Sequence, residues 1–269
     1  CSSDLAAAPS NNISISDEHV SWDLSAMYDL TSDFAVYARV ADGFRGPSIQ
    51  GRDVAFFNPP SVAQSETVMS YEAGFKSRFG NGVVLNAAAF YMDYKNKQMR
   101  GRLADPIFGG LETLVNIPKS RIWGAEADIT IKPTRGLTLS GAVTYINSKI
   151  LQSPAAPYNY NVLGVTDNFA GDPLPFTPEW SGSVNLDYRH ELSGGITPFF
   201  GVSANARSKA DAQPGAQRLA YLDGCKTTFG GGGVEPVPGE QHLHGDGARQ
   251  LIQYSLRPAV ASHNAPLDF

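Results

Sequence analysis

Two acidic side chains two positions apart, Glu126 and Asp128, are the most suggestive pair for chemistry in the sequence. On a β-strand, residues i and i+2 point to the same side, and paired carboxylates can serve as acid and base. The pair lies in a segment that alternates between polar and apolar residues, which favours the polar lining of a water-filled lumen. The sequence contains no recognisable combination of nucleophile and base, and we expect no enzymatic activity.

The tail contains two further patterns that resemble binding motifs. His242 and His244, with Asp246 nearby, offer imidazole and carboxylate groups of the kind that bind metal ions. They lie in a glycine-rich region without a second ligand cluster, which favours a solvated loop. The glycine-rich stretch 229–236 follows no strand pattern and lacks the Gly-Lys-Ser/Thr of a phosphate-binding loop. We therefore predict a flexible linker there, and neither a metal site nor a cofactor.

Composition excludes several classes of protein. Of the 269 residues, 42% are hydrophobic and 17% are charged, and the net charge is −5; about a quarter charged is usual for a soluble domain. The mild negative charge argues against a nucleic-acid partner, which requires a basic surface. Cys1 and Cys225 are the only cysteines, too few for a disulfide framework or a thiolate metal cluster. No segment approaches the roughly 18 consecutive apolar residues of a transmembrane helix.

Period-two alternation is the main structural signal. Every second residue from Trp22 to Leu30 is apolar, and similar patterns recur in about eight segments, several of them 10–14 residues long. Strands of globular proteins usually have about 5–6 residues, whereas a tilted strand needs roughly 9–11 to cross a bilayer. The segments are 22–30, 34–41, 67–79, 121–131, 137–147, 183–190 and 198–208, together with 82–94, which is apolar at both parities and does not show which way it faces.

The connections between these segments alternate in length. Short turns are predicted at 31–33, 80–82, 133–136 and 192–195, and long excursions at 46–65, 96–119 and 150–178. Tight turns at one end and large loops at the other are typical of a transmembrane β-barrel. Aromatic residues near strand ends also suit a membrane-interface girdle: Trp22, Tyr91, Tyr94, Trp123, Tyr145 and Trp180. A soluble β-sandwich alternates as well, but it would have shorter strands and no such asymmetry.

We therefore predict an all-β fold, an antiparallel up-and-down transmembrane β-barrel portion with lipid on its apolar face. The residues expected on the convex, lipid side are Trp22, Val36, Phe75, Trp123, Ile129, Leu139 and Val202; those expected on the concave side are Glu72, Glu126, Asp128 and Asn205. The candidates for the ligand and lumen path are Arg39, Arg45, Arg52, Glu72, Lys76, Glu126 and Asp128. In the long loops, recognition residues are sought among Asp53, Phe56, Phe57, Tyr158, Tyr160 and Phe169.

Four segments resemble a known family in order and spacing: 36–49, 65–79, 85–98 and 115–150. They contain a Gly-Phe-Arg-x-Pro step at 43–47, a Tyr-Glu-x-Gly-Phe-Lys strand at 71–76 and a Gly-x-Glu-Ala strand at 124–127. Together they resemble the C-terminal barrel of TonB-dependent outer-membrane receptors of Gram-negative bacteria. The resemblance implies a 22-stranded barrel closed by a plug and energised through TonB. Its ligand would be a scarce one, such as siderophore-iron, cobalamin or an oligosaccharide.

The chain also departs from that family, because it shows no plug and only about eight of the strands. We expect a fragment with an incomplete, open barrel: a lead segment at 1–19, the barrel portion at 20–210 and a divergent, irregular tail at 211–269. The implied partners are outer-membrane lipid, a small-molecule ligand and, through the plug, the TonB energising complex. The alternatives are a passive porin-like channel or structural barrel, and a soluble β-sandwich binding module.

Overall fold

The computed structural model describes residues 13–50, 60–80, 82–105, 109–161, 163–192, 196–215, 221–222 and 225–236. Within these residues all regular structure is β-strand, and none of it forms a helix long and apolar enough to cross a membrane. The strands are β1 (Trp22–Thr31), β2 (Phe34–Arg45), β3 (Ser48–Gln50), β4 (Ser61–Ala63), β5 (Glu66–Phe79), β6 (Val83–Asp105), β7 (Gly109–Thr134), β8 (Leu137–Gln152), β9 (Trp180–Arg189), β10 (Ile196–Arg207), β11 (Ala210–Asp211), β12 (Tyr221–Leu222) and β13 (Cys225–Pro236).

One nine-stranded sheet contains all the long strands, in the order β1-β2-β5-β6-β7-β8-β9-β10-β13. Every pairing is antiparallel, and β3–β4 and β11–β12 form separate two-stranded hairpins. The predicted antiparallel meander is confirmed. Among the described residues β1 and β13 are the two edges and do not pair with each other, so the sheet is open.

Short turns join the strands at one end of the sheet, as predicted. The turn between β7 and β8 depends on Gly136, whose φ of +84° lies in the left-handed region. A Cβ at this position would also collide with the carbonyl oxygen of Arg189 on β9, and the Arg189 N–H donates to the Gly136 oxygen at 2.7 Å. Glycine is therefore required for both the turn and the close approach of β9.

The excursion predicted at 96–119 is not a loop. β6 and β7 continue through it as a hairpin whose pairing extends to Asp105 and Gly109. Charged residues interrupt the apolar alternation there, so the sequence pattern ends before the strands do. The hairpin gains its burial from the neighbouring long connections, since Val115 and Ile117 are 3% and 0% exposed.

The flexible linker predicted at 229–236 is also wrong. These residues belong to β13, which pairs with β10 from Arg207 opposite Cys225 to Ile196 opposite Pro236. Backbone ladders need no side-chain alternation, so a glycine-rich strand has no period-two signature. The division of the chain at residue 210 stays a prediction, and residues 237–269 lie outside the described part.

The hydrophobic core lies at the end of the sheet that carries the long connections. A single-layer sheet leaves both faces uncovered, whereas here the β6–β7 hairpin, the end of β8 and the 153–179 connection pack together. The cluster consists of Val115, Ile117, Ile150, Phe169 and Leu174, with Met99 and Ile122 against it. The long connections are thus a packed structure on top of the sheet.

Candidate functional site: the polar face of the sheet

The strand registers assign the side chains of β1, β2 and β5–β10 to one of two faces, because directly opposite residues point the same way. Val36 is opposite Phe75, Phe75 opposite Ala87, and Ala87 opposite Ala127; the row continues through Val143, Gly182 and Ala206. With period two along each strand, all seven residues predicted for the lipid side share this face, here called the apolar face. Glu72, Glu126, Asp128 and Asn205 share the other, called the polar face. Trp123 and Glu126 are therefore on opposite faces, as predicted.

An aromatic belt crosses the apolar face near the long connections. Tyr71, Tyr91 and Trp123 are directly opposite one another on β5, β6 and β7. The belt continues with Tyr145 and Trp180, which are paired on β8 and β9. The Tyr145 ring centroid lies 5.6 Å from that of Trp123 and 4.8 Å from that of Trp180.

Between this belt and the short turns, the apolar face of β1, β2 and β5–β10 carries no charged residue. On β7 this stretch runs from Trp123 to Pro133. At about 3.3 Å per residue and a tilt of about 40° it is about 25 Å tall. That is the height of the apolar band of outer-membrane barrels.

The polar face carries a network of charged and hydrogen-bonding side chains. Tyr37 Oη donates to Glu72 Oε1 at 2.7 Å, and Lys76 Nζ lies 5.8 Å from the centroid of the Tyr37 ring. Asn86 Nδ2 donates to Asp128 Oδ2 at 2.9 Å. A groove of about 200 Å³ is lined by Tyr37, Lys76, Asn86, Glu126 and Asp128. Beside it, Arg39 Nε donates to Asp23 Oδ2 at 2.9 Å.

The structure thus brings together five of the seven candidate residues: Arg39, Glu72, Lys76, Glu126 and Asp128. Arg39 is directly opposite Glu72, and Lys76 and Asp128 are both opposite Asn86. Arg45 lies apart, at the long-connection end, where it is opposite Glu66. Arg52, Asp53, Phe56 and Phe57 lie outside the described residues.

Three members of this network were not among the sequence candidates: Asp23, Tyr37 and Asn86. Asp23 and Tyr37 share the polar parity of their strands, so parity alone was a sufficient signal for them. Asn86 lies in 82–94, a segment that is apolar at both parities and gives no preference for a face. Only the register, which places it between Lys76 and Asp128, reveals its role.

Polar side chains fasten the long connections to the β6–β7 hairpin. Gln50 Oε1 accepts from the Leu114 N–H at 2.6 Å, and Gln98 Nε2 donates to the Gly46 and Gln64 carbonyl oxygens at 2.9 Å each. The buried Glu66 carboxylate accepts from the Gln98 N–H at 2.9 Å. Of the loop residues considered for recognition, Phe169 is 3% exposed and belongs to the core, whereas Tyr158 is 37% exposed.

Acidic groups in the long connections are partly withdrawn from water. Burial raises the pKa of the Asp172 carboxyl, although that carboxylate accepts a hydrogen bond from the Gly215 N–H at 2.9 Å, which acts in the opposite direction. Burial likewise raises the pKa of Asp211. Within the described ranges no group of three or more His, Cys, Asp or Glu residues is placed to hold a metal ion. His242, His244 and Asp246 lie outside those ranges.

The strand pattern, the two faces and the aromatic belt agree with a comparison against family models. Residues 2–229 match the model "TonB dependent receptor-like, beta-barrel". The chain belongs to this family. Its place is therefore the outer membrane of a Gram-negative bacterium, as the names of its relatives also indicate.

Two curated relatives are receptors or outer-membrane proteins. The chain is 26% identical over 189 residues to an iron-regulated outer membrane virulence protein of Vibrio cholerae serotype O1, covering 64% of this chain and 26% of the relative. It is 28% identical over 192 residues to a pesticin receptor of Yersinia enterocolitica, covering 70% and 25%. The chain thus spans about a quarter of the length of these relatives.

A solved structure supports the fold. The ferric yersiniabactin uptake receptor of Yersinia pestis superposes with a TM-score of 0.58 at 20% sequence identity, over 78% of this chain and 29% of that one. An open sheet of nine strands is thus similar to part of a complete receptor barrel. Two of these three proteins are named receptors and the third an iron-regulated outer membrane protein, and none of these matches supports a passive porin-like channel.

Proposed function

We propose that this chain forms part of the wall of a TonB-dependent receptor that takes up a scarce metal chelate, with a siderophore-iron complex as the leading ligand. The observation that carries the proposal is the division of one sheet into two chemically distinct faces. An apolar face that has no charged residue between its aromatic belt and the short turns suits lipid, and a face with charged, hydrogen-bonded side chains suits a water-filled path. The relatives named for iron regulation and for ferric yersiniabactin uptake favour iron over cobalamin or an oligosaccharide.

In this proposal Arg39, Glu72, Lys76, Glu126 and Asp128 line the lumen and contact the plug of the complete receptor. Arg45, at the long-connection end, belongs to the outer mouth of the path. Energy would come from the TonB complex through the plug. Three pairs in this network are hydrogen-bonded within the sheet, Tyr37–Glu72, Arg39–Asp23 and Asn86–Asp128. These side chains are held in place before plug or ligand contacts them, which lowers the entropy cost of that contact.

Uptake by the complete receptor tests the function. A strain that carries its full reading frame, and lacks its other iron receptors, is given iron-55 siderophores, cobalt-57 cobalamin and a labelled oligosaccharide in turn. We expect saturable uptake of a ferric siderophore that stops when a protonophore collapses the proton gradient. Flux that is unsaturable and insensitive to the protonophore would contradict the proposal and favour a passive channel.

Cysteine labelling tests the assignment of the faces. In a background with Cys1 and Cys225 replaced by serine, Glu126→Cys and its neighbour Ala127→Cys are treated with a charged maleimide in intact outer membranes. We expect labelling of Glu126→Cys once the plug is absent, and none of Ala127→Cys, because the lipid excludes the charged reagent. Labelling of Ala127→Cys alone would place the lumen on the apolar face.

A further inference from the structure

The polar face changes character between its two halves. On β2 and β5–β7, here called the charged half, it carries long, charged side chains such as Arg39, Glu72 and Lys76. On β8, β9 and β10 the part of this face next to the aromatic belt has nine positions, in three rows of directly opposite residues. Seven of the nine carry a hydroxyl or an amide group and are called the neutral strip: Ser140, Thr144, Ser181, Ser183, Asn185, Ser203 and Asn205. Ala142 and Arg207 occupy the other two positions.

The two rows of this block that lie nearest the belt line a groove of about 550 Å³, with Arg207 at its outer end. The groove of the charged half has a volume of about 200 Å³. The difference follows from side-chain length, because serine, threonine and asparagine end close to the backbone, whereas lysine, arginine and tyrosine extend into the lumen. Binding clefts for small molecules have volumes of about 300–1,000 Å³, so the wider groove has room for one.

The polar groups of the neutral strip are available to a passing molecule. Asn185 Nδ2 donates to Ser140 Oγ at 3.5 Å, and the other members form no side-chain hydrogen bond with another described residue. In the charged half, by contrast, Tyr37, Arg39 and Asn86 each donate to a carboxylate. Hydrogen bonds to charged groups are roughly twice as strong as neutral ones. A ligand in the charged half would therefore compete with strong, occupied bonds, whereas along the strip it exchanges neutral bonds with water.

The neutral strip suits the passage of a ligand, and the charged half suits stationary contacts with a plug. Passage requires contacts that are favourable enough for entry and weak enough for release. We propose that an anionic metal chelate passes along the neutral strip, between the plug and β8–β10, while the plug rests on the charged half. Arg207 is exposed and forms no ion pair with a described residue, so its positive charge attracts the chelate to the outer end of the strip. This inference rests on the proposed function, because it presupposes a plug and a transported chelate.

Cysteine accessibility in the complete receptor tests the position of the plug without any ligand. The background has Cys1 and Cys225 replaced by serine. Ser183→Cys lies in the strip, and Ser70→Cys lies on the polar face of β5, two residues from Glu72. Both are treated with a small charged methanethiosulfonate in isolated outer membranes, with the plug present and after its deletion. We expect Ser183→Cys to react in both forms, and Ser70→Cys to react only after the plug is deleted.

Reversible blockage of the strip tests the route of the chelate. A bulky, charged methanethiosulfonate is attached to Ser183→Cys in cells, and uptake of a ferric siderophore is measured before and after its removal with dithiothreitol. We expect the adduct to slow uptake by about tenfold or more, equivalent to at least about 1.4 kcal/mol in the barrier. Binding of the siderophore to cells without a proton gradient should be unchanged. Asn205→Cys, directly opposite Ser183, repeats the measurement at a second position.

The matched control is Val184→Cys, next to Ser183 in the chain. Val184 is on the apolar face and 62% exposed, so in the membrane the lipid should keep the charged reagent from it and uptake should stay unchanged. The charge of Arg207 is tested by substitution. Arg207→Gln should raise the KM for an anionic ferric siderophore by about fivefold, as expected for one charge pair in contact with water, and Arg207→Lys should retain the original KM.

Three results would overturn the proposal. Protection of Ser183→Cys by the plug, or equal reactivity of Ser183→Cys and Ser70→Cys beside it, would show that the plug does not leave the strip open. Undiminished uptake through a receptor labelled at Ser183→Cys would show that the chelate takes another route. An unchanged KM in Arg207→Gln would exclude the attraction of the chelate by this charge. Failure of the unmodified receptor to take up any ferric siderophore would instead refute the proposed function, and the accessibility result would still show whether the plug leaves the strip open.

Discussion

The 269 residues expressed alone, with a signal sequence for export, should neither insert into the outer membrane nor transport a ligand. The reason is that the sheet formed by the described residues has two open edges, β1 and β13, with 10 and 12 residues. About half of the residues of an edge strand direct their N–H and C=O groups away from the sheet, which leaves about twenty unpaired groups. Such groups cost several kcal/mol each in lipid.

The free-energy cost of these unpaired groups decides whether the chain can insert into the membrane. Even at about 1 kcal/mol per group, the low end for an unsatisfied buried polar group, the two edges cost about 20 kcal/mol. A typical domain is stable by only 5–15 kcal/mol. Closing nine strands on themselves would require a different tilt and shear from those of a barrel with many more strands. In water, the uncharged stretch of the apolar face beside free edges favours aggregation.

Cell fractionation measures whether the 269-residue chain inserts into the outer membrane. The control is the complete reading frame behind the same signal sequence. We expect the control in the outer membrane as a heat-modifiable band, and the 269-residue chain in inclusion bodies or degraded. Recovery of the shorter chain as a heat-modifiable, protease-resistant monomer would refute the reasoning, because it would show that the described sheet closes by itself.

Three further predictions concern the complete receptor. Val143→Lys, on the apolar face in mid-membrane, should destabilise the barrel by roughly 2–4 kcal/mol, whereas Thr144→Lys on the polar face should have little effect; urea unfolding in detergent compares the two, and equal losses would contradict the assignment of faces. Gly136→Ala should lower stability by roughly 1–3 kcal/mol, because it combines a left-handed φ with a collision. Gly80→Ala, with φ of +53° and open space around it, should lose less, and the reverse order would show that the close approach of β9 is unimportant. The raised pKa of Asp172 means that its contribution to loop stability is complete below the usual aspartate pKa and is lost as pH rises through the raised value. The protection factors of the amides in 153–161 and 163–179, which correct for the intrinsic rise of hydrogen exchange with pH, should therefore fall over that pH window, and Asp172→Asn should remove this fall; an unchanged pH profile of the protection factors in that variant would exclude the carboxyl as its cause.

The alternation of apolar and polar residues with a period of two was sufficient to predict the sheet, because each strand separates two environments. Alternation from Trp22 to Leu30 or from Trp123 to Ile131 identifies both the strand and its faces, and the long and short connections identify the two ends. The same signal fails where the environment is uniform. The 96–119 hairpin lies among other connections outside the bilayer, so its residues need not alternate. The β13 strand is itself glycine-rich and pairs with β10 through its backbone, so its sequence shows no alternation.

The sequence could predict which residues belong to the candidate site, but not which of them lie next to one another. Parity selected Arg39, Glu72, Lys76, Glu126 and Asp128, because a charged residue on a strand that crosses lipid is confined to the polar face. Parity could not show which of them meet, since that depends on the register between strands. Asn86 links Lys76 to Asp128 only because β6 pairs with β5 and β7 in one particular alignment. Arg45 has the correct parity but lies at a different height along the barrel wall.

The location of the core bears on how the proposed receptor would recognise its ligand. Loops that hang freely from a barrel would have to be ordered on binding, at about 1–2 kcal/mol per residue fixed. Here Ile117 and Ile150 are fully buried and Phe169 and Leu174 pack with them, and Gln50 and Gln98 fasten the connections to the β6–β7 hairpin. Much of that ordering is therefore complete before any ligand arrives. Selectivity at this end then depends on exposed residues held by the packed connections, such as Tyr158, while the packed residues below them determine how rigidly those side chains are presented.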